Sequence, residues 1–135
     1  MNLKDQVLSI VQVRELQELG FDVNKHSSLK SNGKQIIVKD DFYIGGAPLF
    51  PTMTIGDIIS VLPPHIYPSI YHKKYGEEIE QTHILIMYLY GNFGCLIGYK
   101  HSLQHTFVFE SREKSYIKAL FETLKWSIKQ KHIAL

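Results

Sequence analysis

Three β-prone segments in the second half of the chain are joined by links that leave room only for hairpins. The segments cover residues 82–90, 95–100 and 105–110, and each link is four residues long. Strands joined by such short links pair antiparallel, because a parallel pair needs a crossover of about a dozen residues. The sequence therefore predicts an antiparallel meander.

The first strand of this meander is apolar on both faces. Every residue from 84 to 89 is apolar, whereas a strand with one wet face alternates between apolar and polar residues. The pattern predicts a central strand or one covered on both sides.

Helical signals occur near both ends of the chain. Ser9 and Gln12 have the spacing of a capping box and Gly20 follows as a C′ residue, which predicts a helix over residues 10–19. A second helix is predicted over residues 113–131, with an apolar stripe that faces the sheet. The stripe consists of Ile117, Leu120, Phe121, Leu124 and Ile128.

A shorter helix is predicted within PTMTIGDIISVLPPHI, residues 51–66. Thr54 and Asp57 have capping-box spacing, so the hydroxyl and the carboxylate can each accept a backbone N–H. Pro63 and Pro64 lack amide donors and end the helix. We expect a connector helix packed on a sheet.

The remaining elements complete the predicted order α-β-β-α-β-β-β-α. Residues 36–38 and 42–44 read as two short strands, with Asn32-Gly33 as a turn before them, and residues 71–81 read as a charged surface loop. This order predicts an α+β fold with one antiparallel or mixed sheet of about five strands and helices packed mainly on one face. Residues 1–135 are expected to form a single α+β domain.

Composition favours a globular protein of the cytoplasm. The chain is 44% hydrophobic and 21% charged, and its net charge of +2 is too small for non-specific phosphate binding. Cys95 is the only cysteine, which excludes an internal disulfide framework and fits a reducing compartment. Residues 1–9 lack the apolar run of a signal peptide, and residues 84–90 are too few to cross a bilayer, so no membrane partner is expected.

The reactive side chains predict no catalytic residue, no cofactor and no metal site. His101 and His105 are four residues apart but fall in a predicted hairpin, so we interpret them as polar loop histidines. His83 is interpreted as a core or edge residue. Cys95 has no histidine base beside it in the sequence, and a small buried strand residue is the better interpretation.

Trp126 is the residue that bears most on a partner surface. At about 100° per residue it lies almost opposite the apolar stripe of the last helix. With its small neighbours Ala119 and Ser115 it forms a candidate partner interface. The alternative is that residues 1–8 fold over Trp126.

The last helix also carries a basic flank that could follow the phosphates of a nucleic acid. A solvated helix face is the simpler interpretation of the same residues. The flank consists of Lys114, Lys118, Lys125 and Lys129.

Three stretches of the chain resemble a known family. VQVRELQELGFD (residues 11–22) is similar to a helix that ends in leucine, glycine and phenylalanine. Residues 47–66, APLFPTMTIGDIISVLPPHI, are similar to a family segment that has an Ala-Pro, a Thr, a short helix and a final Leu-Pro. Residues 116–130, YIKALFETLKWSIKQ, are similar to a closing helix that follows a strand meander. The family consists of uncharacterised small proteins encoded in phages and mobile elements of gut Bacteroidales.

This resemblance covers nearly the whole chain but implies a role for no single residue, because the family has no established activity, cofactor or catalytic residue. The chain departs from the family pattern in two places. It has extra residues between Leu49 and Thr54, and a long loop at residues 71–81.

Together these observations predict a small, non-enzymatic binding protein of phage or mobile-element origin that acts through protein–protein contacts. Trp126 and the strand at residues 84–90 favour this function, and a second copy of the chain is one candidate partner. The alternative is a nucleic-acid-binding accessory protein that uses the basic flank. An enzyme is the third interpretation.

Overall fold

Four helices and seven strands make up the described part of the chain in a computed structural model, and the fold is α+β, as predicted. The structure describes residues 6–31, 37–39, 49–66, 83–91, 94–101 and 106–135, with the backbone alone at residues 37–39. The helices are α1 (Ile10–Glu18), α2 (Val23–His26), α3 (Ile55–Val61) and α4 (Tyr116–Lys129). The strands are β1 (Leu29–Ser31), β2 (Ile37–Lys39), β3 (Phe50–Thr52), β4 (His65–Ile66), β5 (His83–Leu89), β6 (Cys95–His101) and β7 (Phe107–Glu113).

The strands form two antiparallel sheets, ordered β2-β1-β3 and β4-β5-β6-β7. The prediction of a single sheet of about five strands is therefore wrong, and the predicted element order lacked α2, β1, β3 and β4. The short strands β1 and β3 carry no clear strand pattern, and β2 pairs with β1 instead of joining the meander. The Asn32-Gly33 turn, the strand at residues 42–44 and the loop at residues 71–81 lie outside the described residues.

The predicted meander is confirmed in strands β5, β6 and β7. Leu85 lies opposite Tyr99, and Ile97 lies opposite Ser111. A register shift between Tyr99 and Lys100 interrupts the pairing of β6 with β7. Helix α4 packs against one face of this meander.

Both predicted capping boxes are confirmed. At α1, the Ser9 N–H donates to Gln12 Oε1 at 2.9 Å and the Gln12 N–H donates to Ser9 Oγ at 3.2 Å. At α3, the Thr54 N–H donates to Asp57 Oδ2 at 3.0 Å and the Asp57 N–H donates to Thr54 Oγ1 at 3.1 Å. These contacts are local in sequence, which is why residue spacing was enough to find them.

Helix α3 packs chiefly on helix α4, not on a sheet as predicted. The buried side chain of Ile58 belongs to the same core cluster as Leu120 and Leu124 of α4. Where α3 ends, the Tyr99 hydroxyl of β6 donates to the Pro63 carbonyl at 2.8 Å. The connector helix is therefore held to the four-stranded sheet through its exit, while its apolar face meets another helix.

Helix α4 lies between the four-stranded sheet and helices α1 and α3. Its apolar stripe is buried, but it shares the core with Leu16 of α1 and Ile58 of α3 as well as Ile97 of β6, so the prediction that the stripe faces the sheet is only partly correct. A second side of α4 is buried as well, because Ala119, Thr123 and Ser127 are each 0% exposed. A helix with neighbours on two sides must bury more of its circumference than one stripe predicts.

No helix within the described ranges is both long and apolar enough to cross a membrane.

Candidate interaction surface

The end of β5 and the residue after it expose four consecutive large apolar side chains. Met87 is 38% exposed, Tyr88 45%, Leu89 69% and Tyr90 53%. In the neighbouring strand β6, by contrast, six of the seven residues are buried. The prediction of a central or doubly covered strand is therefore wrong for this half of β5.

Beyond Leu85, no described strand pairs with one of the two edges of β5. Strand β4 is only two residues long and pairs with His83 and Ile84, and the Leu85 N–H donates to the Pro64 carbonyl at 3.0 Å. Backbone N–H and C=O groups of alternate residues point to the same edge of an antiparallel strand. Met87 and Leu89 therefore direct these groups to the same side as Leu85.

The Tyr90 N–H points to the other edge of β5, where it donates to the Gly94 carbonyl in the β5–β6 hairpin at 2.8 Å. This direction agrees with the assignment of Met87 and Leu89. We call residues 86–90 the β5 edge. It combines open backbone hydrogen-bonding groups with uncharged, apolar side chains on both faces. Such an edge is a template for pairing with another strand.

A groove of about 910 Å³ adjoins the β5 edge. It lies where the β5–β6 hairpin meets the first residues of α3 and α4, and Leu89 belongs both to the groove and to the β5 edge. The groove has the size of a small-ligand site and is lined mainly by apolar side chains. Its side-chain lining includes Gln6, Ile55, Leu89, Cys95, Lys114 and Tyr116.

The two reactive side chains in this groove are both held in their protonated forms. Cys95 is buried, as predicted, and its thiol lies 3.5 Å from the Glu113 carbonyl. Burial raises the pKa of the Cys95 thiol, and the Glu113 carboxylate raises it further. Burial raises the pKa of Tyr116, and Cys95 adds a smaller effect in the same direction. The Tyr116 hydroxyl donates to Met87 Sδ at 3.3 Å. These groups act as walls and hydrogen-bond donors, because a protonated thiol is a poor nucleophile.

The set Trp126, Ala119 and Ser115 does not form the surface that the sequence predicted. The Trp126 ring stacks on Phe109 with centroids 4.8 Å apart and planes 14° apart, and Ala119 is 0% exposed. The Ser115 side chain caps α4 by accepting the Lys118 N–H at 3.3 Å. The side opposite the stripe contacts the sheet, so it is not free to hold a partner.

The alternative, that residues 1–8 cover Trp126, is also wrong for the part that the structure describes. The Leu8 N–H donates to the Met53 carbonyl at 3.0 Å, and Val7 bridges to Thr54. Residues 6–8 therefore run beside β3 and the start of α3. Among the described residues, Phe109, Tyr99 and His132 make ring contacts with Trp126.

The basic flank is at the surface, with carboxylates interspersed. Lys114, Lys118 and Lys129 are exposed, and Lys125 is half-buried. The Lys118 ammonium lies 3.6 Å from a Glu113 carboxylate oxygen. That of Lys125 lies 3.7 Å from Glu15 and 3.4 Å from Glu122. The field along this flank is therefore mixed in sign.

One of the histidines interpreted from the sequence lies in an unexpected place. His101 is the last residue of β6 and is 4% exposed, so the prediction of a polar loop residue is wrong. Its ring lies edge-on to that of His83, which is 1% exposed as expected of a core residue, with centroids 5.4 Å apart. His105 lies outside the described residues. Elsewhere in the described ranges, no three His, Cys, Asp or Glu side chains are grouped so that they could hold a metal ion.

Sequence reasoning identified the apolar run of β5 but not its exposure, and it missed Ile55 and Tyr116 as groove residues. The apolar run was the available signal. Whether such a run is covered depends on which elements pack against its two faces, and residue spacing does not contain that information. Comparisons of the chain with protein-family models, with curated proteins and with solved structures found no match.

Proposed function

We propose that this chain is a small, non-enzymatic binding protein of the cytoplasm that acts through protein–protein contacts at the β5 edge. Its proposed origin in a phage or mobile element is supported by the family resemblance of residues 11–22, 47–66 and 116–130. The β5 edge is the observation that carries the function.

The physical reason is strand addition. An extended segment that pairs with an open sheet edge gains main-chain hydrogen bonds, and its alternate side chains pack against those of the edge strand. Met87 and Leu89 offer the backbone groups for such pairing, and Leu89 is 69% exposed before it occurs. Full burial of a leucine side chain contributes roughly 1.5–3 kcal/mol, enough to make Leu89 an anchor.

The chemistry of the adjoining groove supports binding in preference to catalysis. A nucleophilic cysteine needs a lowered thiol pKa, and burial raises that of Cys95. Tyr116 keeps its proton for the same reason. Both side chains suit a passive wall next to the bound segment.

The test is selection of linear peptides on the purified protein, followed by affinity measurements on the enriched sequences. Leu89→Lys is expected to weaken binding by about tenfold or more, equivalent to roughly 1.4 kcal/mol, because it places a charge against the added strand. Val11→Lys is the matched control, since Val11 is an equally exposed apolar residue, at 64%, on α1. Equal affinity for both variants and the native chain, or no saturable peptide binding, would contradict the proposal.

Nucleic-acid binding through Lys114, Lys118, Lys125 and Lys129 is the second candidate, favoured by the surface position of this flank. Carboxylates beside Lys118 and Lys125 weaken the case, because they compete with phosphates for the ammonium groups. Binding of a labelled duplex at low and high salt separates the candidates. Affinity that falls steeply with salt, and that drops when Lys118 and Lys129 are changed to Gln, would favour this flank.

A further inference from the structure

We infer that the β5 edge pairs with the β5 edge of a second copy of this chain, so that two four-stranded sheets join into one continuous antiparallel sheet. This inference rests on the proposed function and names the partner. It depends on the direction of the backbone groups, on the register that symmetry allows and on the absence of charge along residues 86–90.

The backbone groups fit a two-fold arrangement. The backbone N–H and C=O groups of Met87 and Leu89 point to the open edge, because these residues lie two and four positions after Leu85. The Leu85 N–H donates to the Pro64 carbonyl on that side. A two-fold axis at Tyr88 places Met87 opposite Leu89 of the second copy, and Leu89 opposite its Met87. Both pairs then exchange N–H···O=C bonds, and Tyr88 faces its own copy in a non-hydrogen-bonded pair.

The side chains agree with the same register. Directly opposed residues of an antiparallel pair lie on the same face of the sheet. Met87 and Leu89 therefore meet on the face that contacts α4, where the Tyr116 hydroxyl already donates to Met87 Sδ. On the other face, Ile86 lies opposite Tyr90 and Tyr88 opposite Tyr88. Every pair in this window is uncharged.

A second copy is favoured over a foreign partner because the edge is complementary to itself. A two-fold interface uses the same patch on both subunits, so each residue must tolerate its own symmetry mate. A charged residue within the window would oppose pairing between copies, and charge is also a common means of selecting a different partner. Protected edges usually carry lysine, proline or a bulge, and residues 86–90 have neither a lysine nor a proline.

The first measurement is solution mass by sedimentation over a wide range of concentrations. The native chain is expected to reach twice the monomer mass, Leu89→Lys to stay monomeric, and Val11→Lys to behave like the native chain. Leu89 is 69% exposed and Val11 64%, so both variants should keep the fold, which circular dichroism checks. A native chain that stays monomeric throughout, or a Leu89→Lys variant that still doubles its mass, would overturn the inference.

The second measurement tests the register by disulfide cross-linking in a Cys95→Ser background. Tyr88→Cys is expected to form a covalent dimer under mild oxidation, because non-hydrogen-bonded partners bring their Cβ atoms close enough for a disulfide. Val11→Cys in the same background is expected to stay monomeric. Equal cross-linking of the two variants, or none at position 88, would contradict a two-fold axis at Tyr88.

The outcomes separate this inference from the proposed function. A monomeric native chain that still binds selected peptides, with loss of binding in Leu89→Lys, overturns pairing between copies and leaves the β5 edge as a site for a foreign strand. If Leu89→Lys alters neither self-association nor peptide binding, both proposals fail.

Discussion

The Trp126 ring lies parallel to that of Phe109, with 4.8 Å between the centroids and 14° between the planes, and this stack fastens α4 to β7. The ring centroid of Tyr99 in β6 lies 5.7 Å from that of the same indole, and the His132 ring centroid lies 5.2 Å from it. Trp126 is thus part of the packing between the helix and the sheet.

Trp126→Ala is expected to destabilise the fold by about 3 kcal/mol, the lower end for truncation of a large aromatic residue, because the indole is half-buried. Urea unfolding followed by circular dichroism measures this loss. Trp126→Phe keeps an aromatic ring against Phe109 and should lose much less. If Trp126→Ala leaves stability unchanged but alters the solution mass, Trp126 is an interface residue after all.

Asp57→Ala is expected to cost about 2 kcal/mol, more than loss of an ordinary helix cap, which costs about 1 kcal/mol. The Asp57 carboxylate accepts the Thr54 N–H at 3.0 Å, the Ser28 N–H at 3.1 Å and the Ser28 hydroxyl at 2.7 Å. It therefore joins the start of α3 to the segment before β1.

Asp22→Ala is the matched control for this measurement, because Asp22 caps α2 through one bond, from the Lys25 N–H at 3.3 Å. Urea midpoints of the two variants and the native chain give the comparison. Equal destabilisation by both changes would mean that the bonds from Ser28 add nothing to stability.

Gly98→Ala is expected to destabilise the sheet by about 3 kcal/mol, because overpacking forces the backbone to shift. An added Cβ would collide with the Phe109 carbonyl oxygen on the adjacent strand. Gly91→Ala is the contrasting variant, since its Cβ would meet nothing within 4 Å and the only cost is a φ of +60°. That cost is about 1 kcal/mol. Thermal unfolding ranks the two, and a reversed order would refute the close approach of β6 and β7.

Stability is expected to fall on acidification through the titration of His132. Burial lowers the pKa of His132 below its ordinary value of 6.5, so the folded chain binds this proton less readily than the unfolded chain. This contribution to stability is fully present above pH 6.5 and is lost as the pH falls through the lowered pKa.

His132→Gln should therefore flatten the pH dependence of the urea midpoint on the acid side. His65→Gln is the control, since His65 is exposed on β4. An unchanged pH dependence in His132→Gln would show that burial of this imidazole does not contribute to acid sensitivity.

Patterns local in sequence predicted much of the fold. The capping boxes that begin at Ser9 and Thr54 depend on contacts three residues apart, and the meander depends on two short links, so neither needs information from distant residues. Strands β1 and β3 were not predicted, because a run of three residues is too short to show a period-2 pattern. They are held in place by strand pairing, since β1 pairs with both β2 and β3.

The chain by itself determined where α1 and α3 begin, that β5, β6 and β7 pair antiparallel, that Cys95 is a buried strand residue and that the end of β5 is apolar on both faces. Only the tertiary structure decided which apolar surfaces are covered. Trp126 lies opposite the apolar stripe, as its helical angle requires, yet it is covered because α4 has the sheet on that side. Residues 86–90 form an apolar strand segment, yet Met87, Tyr88, Leu89 and Tyr90 remain exposed because no described element fully covers this end of β5. Residue spacing defines the faces of a helix or strand, whereas burial depends on which other element packs against each face.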